Sequence, residues 1–307
     1  MKKVFTTTLA VLLFFVLASP AVLFAENRIY YATTDAGEYY TSYPIYQMKI
    51  NGTGKSIVTV GGNQLDSSEG ISVSPNGEKI AYACASGTFM VCMINSDGTD
   101  SMVVDENSVT INHQVSWSPN GNKIIYSAQD YTTGSLLSYI YTANKNGKNV
   151  SDMTPAYFNL PISGYASYSP DNSKIVFEGE DSLGNHNIYI MDANSTNPVS
   201  LTTNNKSYEP RFSPNSKRIV FVKKVKSNYR LFTMKKNGND VKRLKKLKGE
   251  ARTPAYTPNG KKIIFSFKKS TDSDFEIYSL RLKDKKLKRL TNNSVDDLSP
   301  SVGPVLQ

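Results

Sequence analysis

Apolar residues along this chain come in short runs, often alternating with polar ones and broken by Pro, Asn, Asp and Gly, and no stretch keeps the period of an amphipathic helix. The clearest run is Ser74-Pro75-Asn76-Gly77-Glu78-Lys79-Ile80-Ala81-Tyr82-Ala83. It predicts a tight turn feeding a strand: Pro75 fixes φ at the first turn position, Asn76 tolerates the next, and Gly77 accepts positive φ. Further copies begin at Ser118-Pro119-Asn120-Gly121, Ser169-Pro170-Asp171-Asn172, Ser213-Pro214-Asn215-Ser216 and Thr257-Pro258-Asn259-Gly260. Each leads into a strand such as Lys174-Ile175-Val176-Phe177 or Lys262-Ile263-Ile264-Phe265. Successive marker prolines lie 44, 51, 44 and 44 residues apart, the period of a four-stranded propeller blade. In the fourth period the pattern predicts strands over 207–213, 218–223, 229–235 and 241–246. The third strand recurs as Ile140-Tyr141-Thr142, Ile188-Tyr189-Ile190 and Ile277-Tyr278-Ser279.

The two ends of the repeat complement each other. Arg28 to Ala32, Ile45 to Lys49 and Ser56 to Val60 match the second, third and fourth strands of a blade, with no first strand ahead of them. Leu298-Ser299-Pro300-Ser301-Val302-Gly303-Pro304 matches the first strand seen at Tyr208-Glu209-Pro210-Arg211-Phe212-Ser213-Pro214. Pairing these ends removes an exposed sheet edge. The expected fold is therefore an all-β, six-bladed β-propeller over 26–307, closed by the N-terminal strands pairing with the C-terminal one.

The phrase Ser-Pro-Asn/Asp-Gly-x-Lys-Ile-x-Phe/Tyr, followed by Ile-Tyr-x-Met-Asp, resembles the TolB-type (WD-repeat-like) propeller repeat over essentially the whole mature chain. That repeat occurs in the periplasmic Tol–Pal component TolB and in propellers attached to prolyl-oligopeptidase-like hydrolases, so the resemblance implies a fold and leaves the role open. TolB carries an α/β domain before its propeller and the peptidases an α/β-hydrolase domain, whereas here the first strand follows closely on the leader and the sequence ends at Gln307. Neither role is expected to transfer. The repeat is also degraded: Ser173 and Ser216 stand near the usual Gly position, and only Trp117 is a Trp before Ser-Pro.

Residues 1–25 read as a secretory signal, with Lys2 and Lys3, an apolar run from Val4 to Leu17, and small residues ending at Ala21 or Ala25. No later segment is apolar enough to span a membrane. The mature protein is expected to be exported, either periplasmic or secreted. In that setting Cys84 and Cys92, flanking Ser86-Gly87, can form a disulfide or stay as two buried thiols.

The residues offer little catalytic chemistry. There is no Gly-x-Ser-x-Gly elbow, no phosphate-cradling loop, and only His113 and His186 could serve as imidazole bases. Asp272-Ser273-Asp274-Phe275-Glu276 begins like a calcium loop, but no Gly stands at its sixth position and no Glu at its twelfth, so it reads as a solvated hairpin. No metal and no cofactor is expected.

Binding is the remaining possibility, and two regions suggest it. Positions shortly before each marker proline should ring one mouth of the central channel, bringing together Glu69, His113, Tyr165, Glu209, Arg252 and Asp297. Charge marks the second region. Residues 217–290 hold 24 Lys and Arg against 6 Asp and Glu, whereas 26–216 hold 10 against 18. Lys242, Arg243, Lys245, Lys246 and Lys248, with Lys285, Lys286, Lys288 and Arg289, fall on outer strands or adjoining turns, where lysine also guards an edge. Such a patch suits an anionic lipid, an acidic wall polymer or an acidic protein. Export and the lack of aromatics among the basic runs argue against nucleic acid. The sequence thus points to a non-catalytic module docking an envelope protein or polymer. The alternative is a metal-assisted lyase or hydrolase of acidic polysaccharide at the channel mouth. Oligomeric state is left open.

Overall fold

The structure, a computed structural model, describes residues 26–34, 43–58, 64–65, 70–85, 89–105, 114–129, 138–155, 162–181 and 183–304. Residues 1–25, read above as a leader, and Glu69 and His113 lie outside the described residues. Every regular element described is a β-strand, and no described helix is long and apolar enough to cross a membrane.

Six antiparallel sheets make six blades. Blade five shows the plan: Ser207–Phe212 lies innermost, followed outward by Arg218–Val225, Asn228–Lys235 and the short Lys242–Arg243. Blades three, four and six repeat this order from Val115–Trp117, Ile162–Tyr168 and Gly249–Tyr256. In blade two the inner position is divided, because Gln64–Leu65 and Ser72–Val73 both pair with Lys79–Ala85. Blade one is the closure. Asn27–Thr33 pairs outward with Ile45–Lys49 and inward with Asp297–Pro304, from Asn27 opposite Pro304 to Thr33 opposite Asp297.

The Ser-Pro turn has one hydrogen-bonding scheme in every copy. Ser74 Oγ donates to Asn76 Oδ1 (2.7 Å) and accepts the Lys79 amide (2.9 Å), while the Gly77 amide donates to the Ser74 carbonyl (2.9 Å). The residue at positive φ is Gly77, Gly121, Asn172, Ser216 or Gly260. In blade four the glycine position is thus filled by Asn172, not by the neighbouring Ser173, since Asn tolerates the left-handed region better than Ser.

Strand alternation then builds the core between blades. In Lys-Ile-x-Phe/Tyr, Ile and the aromatic face the preceding blade, and the residue between them faces the following one. Ile175 and Phe177 pack against Ile125 and Ile140 of blade three, whereas Val176 packs against Ile219 and Phe221 of blade five. Six such clusters fill the six seams, the last joining Ile29, Tyr31 and Met48 to Ile264, Ile277 and Leu290. Each fully buried Ile or Phe stabilises the ring by roughly 1.5–3 kcal/mol. Cys84 and Cys92 are joined in a disulfide between neighbouring strands of blade two, and neither has any exposed surface.

Where blades touch through turns, tolerance is small. A Cβ on Gly98 (φ +89°), in the outer turn of blade two, would stand 2.1 Å from the Val58 carbonyl oxygen of blade one. One on Gly121 (φ +68°) would meet nothing closer than the Pro75 ring at 3.6 Å. Gly98→Ala should therefore cost roughly 2–4 kcal/mol, and Gly121→Ala only the conformational term of about 1 kcal/mol. Urea midpoints compared at constant m-value test this; equal losses at the two sites would contradict the packing argument.

Candidate functional site

The innermost strands present two rings of residues to the central channel. The ring three residues before each turn proline, or its equivalent, is Ser72, Ser116, Ser167, Arg211, Ala255 and Ser301. Two residues earlier stand Gln114, Tyr165, Glu209, Thr253 and Ser299. Tyr165, Glu209, Thr253 and Ser299 all hold positive φ, between 46° and 56°, and the strand register shifts beside each of them. This repeated bulge costs about 1 kcal/mol per non-Gly residue and re-aims the chain at the upper mouth, where the innermost strands begin.

Carboxylates from neighbouring blades compensate two of these bulges. The Glu209 amide donates to Glu178 Oε2 of blade four (2.9 Å), and the Thr253 amide of blade six donates to Glu209 Oε2 (2.5 Å). Glu178 and Glu209 are 3% and 2% exposed, so both carboxylates act inside the seams. Each is paired with a basic side chain. His186 Nδ1 lies 2.7 Å from Glu178 Oε1, and Arg252 Nη1 donates to Glu209 Oε1 at 3.2 Å. Burial opposes charge on His186, but the bond to Glu178 and the charges of Glu178, Glu180 and Asp181 raise its pKa above the ordinary value. Burial likewise opposes charge on Arg252, and Glu209 with Glu250 raises its pKa.

Half-exposed aromatic rings sit among these charges. The Arg252 guanidinium lies 3.3 Å from the centroid of the Tyr229 ring, Tyr229 meets Tyr208 edge-on at 5.3 Å, and Tyr208 lies 4.7 Å from His186. The upper face of blades four to six is thus a cluster of His186, Tyr208, Tyr229 and Arg252 on a buried carboxylate base.

The remaining sequence-derived candidates divide between the channel, the seams and the outer surface. Tyr165 offers its backbone carbonyl to Arg211 Nη1 at 3.1 Å, and Asp297 is fully buried in the closing strand. Glu276, at the end of the acidic hairpin, is also fully buried and accepts from Arg289 Nη2 (2.6 Å) and the Asn293 amide (2.7 Å). Among the basic residues, Lys242, Arg243, Lys246, Lys248, Lys285, Lys286 and Lys288 are exposed, whereas Lys245 and Arg289 are half-buried. Lys245 Nζ donates to the Lys285 carbonyl (2.6 Å) and Lys288 Nζ to that of Asn51 (2.7 Å), each crossing to the next blade. Among the described residues no group of three or more His, Cys, Asp or Glu could hold a metal ion.

Glu178, His186 and Arg211 are absent from the sequence-derived ring, yet each seam carboxylate leaves a trace in the repeat. Glu178 occupies the position held by Ala83, Ser127, Val222 and Ser266 in other blades, a charge where the pattern asks for a small or apolar residue.

Asp297 gives the closure a pH dependence. Its Oδ1 accepts from Thr33 Oγ1 (2.6 Å) and its Oδ2 from Asn293 Nδ2 (3.1 Å), while burial, with a contribution from Glu276, pushes its pKa from 3.8 up to about 6. A carboxyl whose folded pKa is raised stabilises most below the unfolded value; that contribution is lost as pH climbs through the folded one. Stability should accordingly fall by about 2–3 kcal/mol between pH 4 and pH 6.5. Chemical denaturation across this range should show the fall in the native protein and a flatter profile in Asp297→Asn. An unchanged slope in the variant would sink the assignment.

No family model matches the chain. A sequence match to an uncharacterized protein of Agrobacterium fabrum is 24% identical over 136 residues, covering 44% of this chain and 46% of that protein, so less than half of the relative is spanned. The structural matches are fuller. TolB from Acinetobacter baumannii superposes with a TM-score of 0.72 at 18% identity, over 91% of this chain and 67% of that one. A chain provisionally named TolB from Agrobacterium tumefaciens gives 0.68 at 18% identity, over 92% of this chain and 99% of that one. A chain of a nidogen–laminin complex gives 0.67 at 12% identity, over 90% and 98% respectively. The chain is similar in structure to these proteins and has the six-bladed propeller fold of TolB.

Proposed function

We propose that this protein is an exported, non-catalytic propeller that docks a protein of the cell envelope through the upper face of blades four to six. One observation carries the reading: the cluster of His186, Tyr208, Tyr229 and Arg252 is half-exposed, packed ring against ring and cation, and seated on the buried carboxylates Glu178 and Glu209. Tyrosine and arginine held in place before a partner arrives are the side chains that dominate protein interfaces, because little conformational freedom remains to be lost. The leader at residues 1–25 supports export, and the likeness to TolB supports an envelope setting.

A second reading has its own observation. The exposed lysines on the outer strands of blades five and six form a basic rim suited to an anionic envelope polymer or lipid.

Retention experiments from solubilised envelope separate the two. The mature protein should retain a discrete protein at both low and high salt, and Tyr208→Ala with Tyr229→Ala should lower that retention at least about tenfold. Neutralising Lys242, Lys246 and Lys248 should change it by less than about twofold. Retention that collapses with salt and with lysine neutralisation, while surviving the tyrosine changes, would replace the protein-docking reading with the polymer-binding one.

A further inference from the structure

The lower half of the channel, which opens between the Ser-Pro turns, has a different chemistry from the upper face. A small cavity of about 60 Å³ lies on the upper side and a wider one of about 480 Å³ opens below, and Arg211 borders both. At the equivalent inward position the other five blades carry Ser72, Ser116, Ser167, Ala255 and Ser301. Five small residues leave room on the axis for one large cation.

That cation is incompletely satisfied. Nη1 donates to the carbonyls of Tyr165 (3.1 Å) and Pro210 (3.0 Å), and Nη2 to Gln114 Oε1. A guanidinium has five N–H donors, so two remain without an acceptor among the described residues. No carboxylate of the described residues forms an ion pair with Arg211. Glu209, its neighbour in the upper ring, is engaged by Arg252 and the Thr253 amide. The residues lining the lower cavity include no Asp and no Glu, and Arg211 is the only charged one among them. Arg211 is half-buried, and Glu209 and Glu178 act on it without reaching ion-pair distance, so an incoming anion would meet the guanidinium with no competing carboxylate in the lower cavity.

Around the opening stand Trp117, Tyr168, Phe212 and Tyr256, all immediately before the turns. We propose that the lower channel is a carboxylate-binding site, in which Arg211 anchors the anion and this aromatic rim holds an adjoining apolar body. A carboxylate fits better than a phosphate: one planar guanidinium with two free donors matches a planar monoanion, and no second cation lines the cavity to balance a dianion. A free organic acid and the C-terminal residue of a peptide chain present the same chemistry, and both fit a cavity of this volume. The site faces away from the upper cluster and does not depend on docking there.

Trp117 is the chain's only tryptophan and lines this cavity, so its fluorescence reports on the site directly. The mature protein is titrated with phenylacetate and with N-acetyl-Ala-Phe, each paired with its amide. Both acids should give a saturable change at roughly millimolar concentration or below, and the amides should bind at least about tenfold more weakly. Tighter binding of the peptide acid would identify a chain terminus as the ligand, and tighter binding of phenylacetate a free organic acid. Arg211→Gln should abolish the response. Because Arg211 also bonds to neighbouring blades, Ala255→Asp is the second variant: it supplies an internal carboxylate in the same ring, and should keep the melting temperature while weakening the acids at least about tenfold. The proposal is overturned if neither acid gives a saturable response up to about 10 mM, if acids and amides bind equally, or if folded Ala255→Asp binds as the native protein does.

Discussion

A propeller depends on closing its ring, and here that closure rests on one strand with partners on both sides. Asn27–Thr33 pairs with Ile45–Lys49 from its own end of the chain and with Asp297–Pro304 from the other. Without the second pairing, two sheet edges would face solvent. The closing strand is tied further by the Val73 amide, which donates to Ser301 Oγ of the same strand (3.1 Å). Ser299 and Ser301 also take their places in the channel rings. Closure of the fold and completion of the channel are therefore one event, and a contact such as Thr33 with Asp297 serves both.

The architecture was legible in the sequence because it depends on strictly local chemistry repeated many times. Ser-Pro-Asn-Gly states its turn in four residues, and Lys-Ile-x-Phe/Tyr assigns both faces of a strand. Even the substitutions are readable in these terms, since Asn172 and Ser216 stand where φ is positive and a short polar residue survives at modest cost. The channel was less legible. Counting back from a proline gives the inward face only while the strand alternates regularly, and the bulges at Tyr165, Glu209, Thr253 and Ser299 interrupt that alternation. Thus Asp297 reads as a mouth residue but turns into the closing seam, while Arg211, inside the channel, sits where the count would place a strand interior.

Charge follows a division of labour that composition does not reveal. The acidic residues that matter are few and internal: Glu178, Glu209, Glu276 and Asp297 each have 3% exposure or less and brace turns, amides or the next blade. The basic residues of blades five and six are mostly outward, yet several stitch neighbouring blades, as Lys245 and Lys288 do through carbonyl oxygens. A ring needs polar contacts that cross its seams, because hydrogen bonds within each sheet hold a blade together without fixing it to the next. The net charge of the chain, +10, therefore describes its outer surface and misses the buried carboxylates beneath the upper face.

A repeat protein supplies its own comparison. Six blades facing the same geometric demands should converge on similar residues wherever the demand is structural, and all six do at the isoleucine and the aromatic of the second strand, while four share the turn serine. Departures confined to one blade need a separate cause. Cys84 and Cys92 in blade two have theirs in the disulfide, and Glu178 in blade four has its own in the amide of Glu209. Arg211 is different, because five blades close the same position with Ser or Ala, and its own bonds leave two donors without an acceptor and no carboxylate in ion-pair contact among the described residues. An arginine at that point, in a channel with an acid-free lower mouth, is the argument that the channel is a site as well as a consequence of closure.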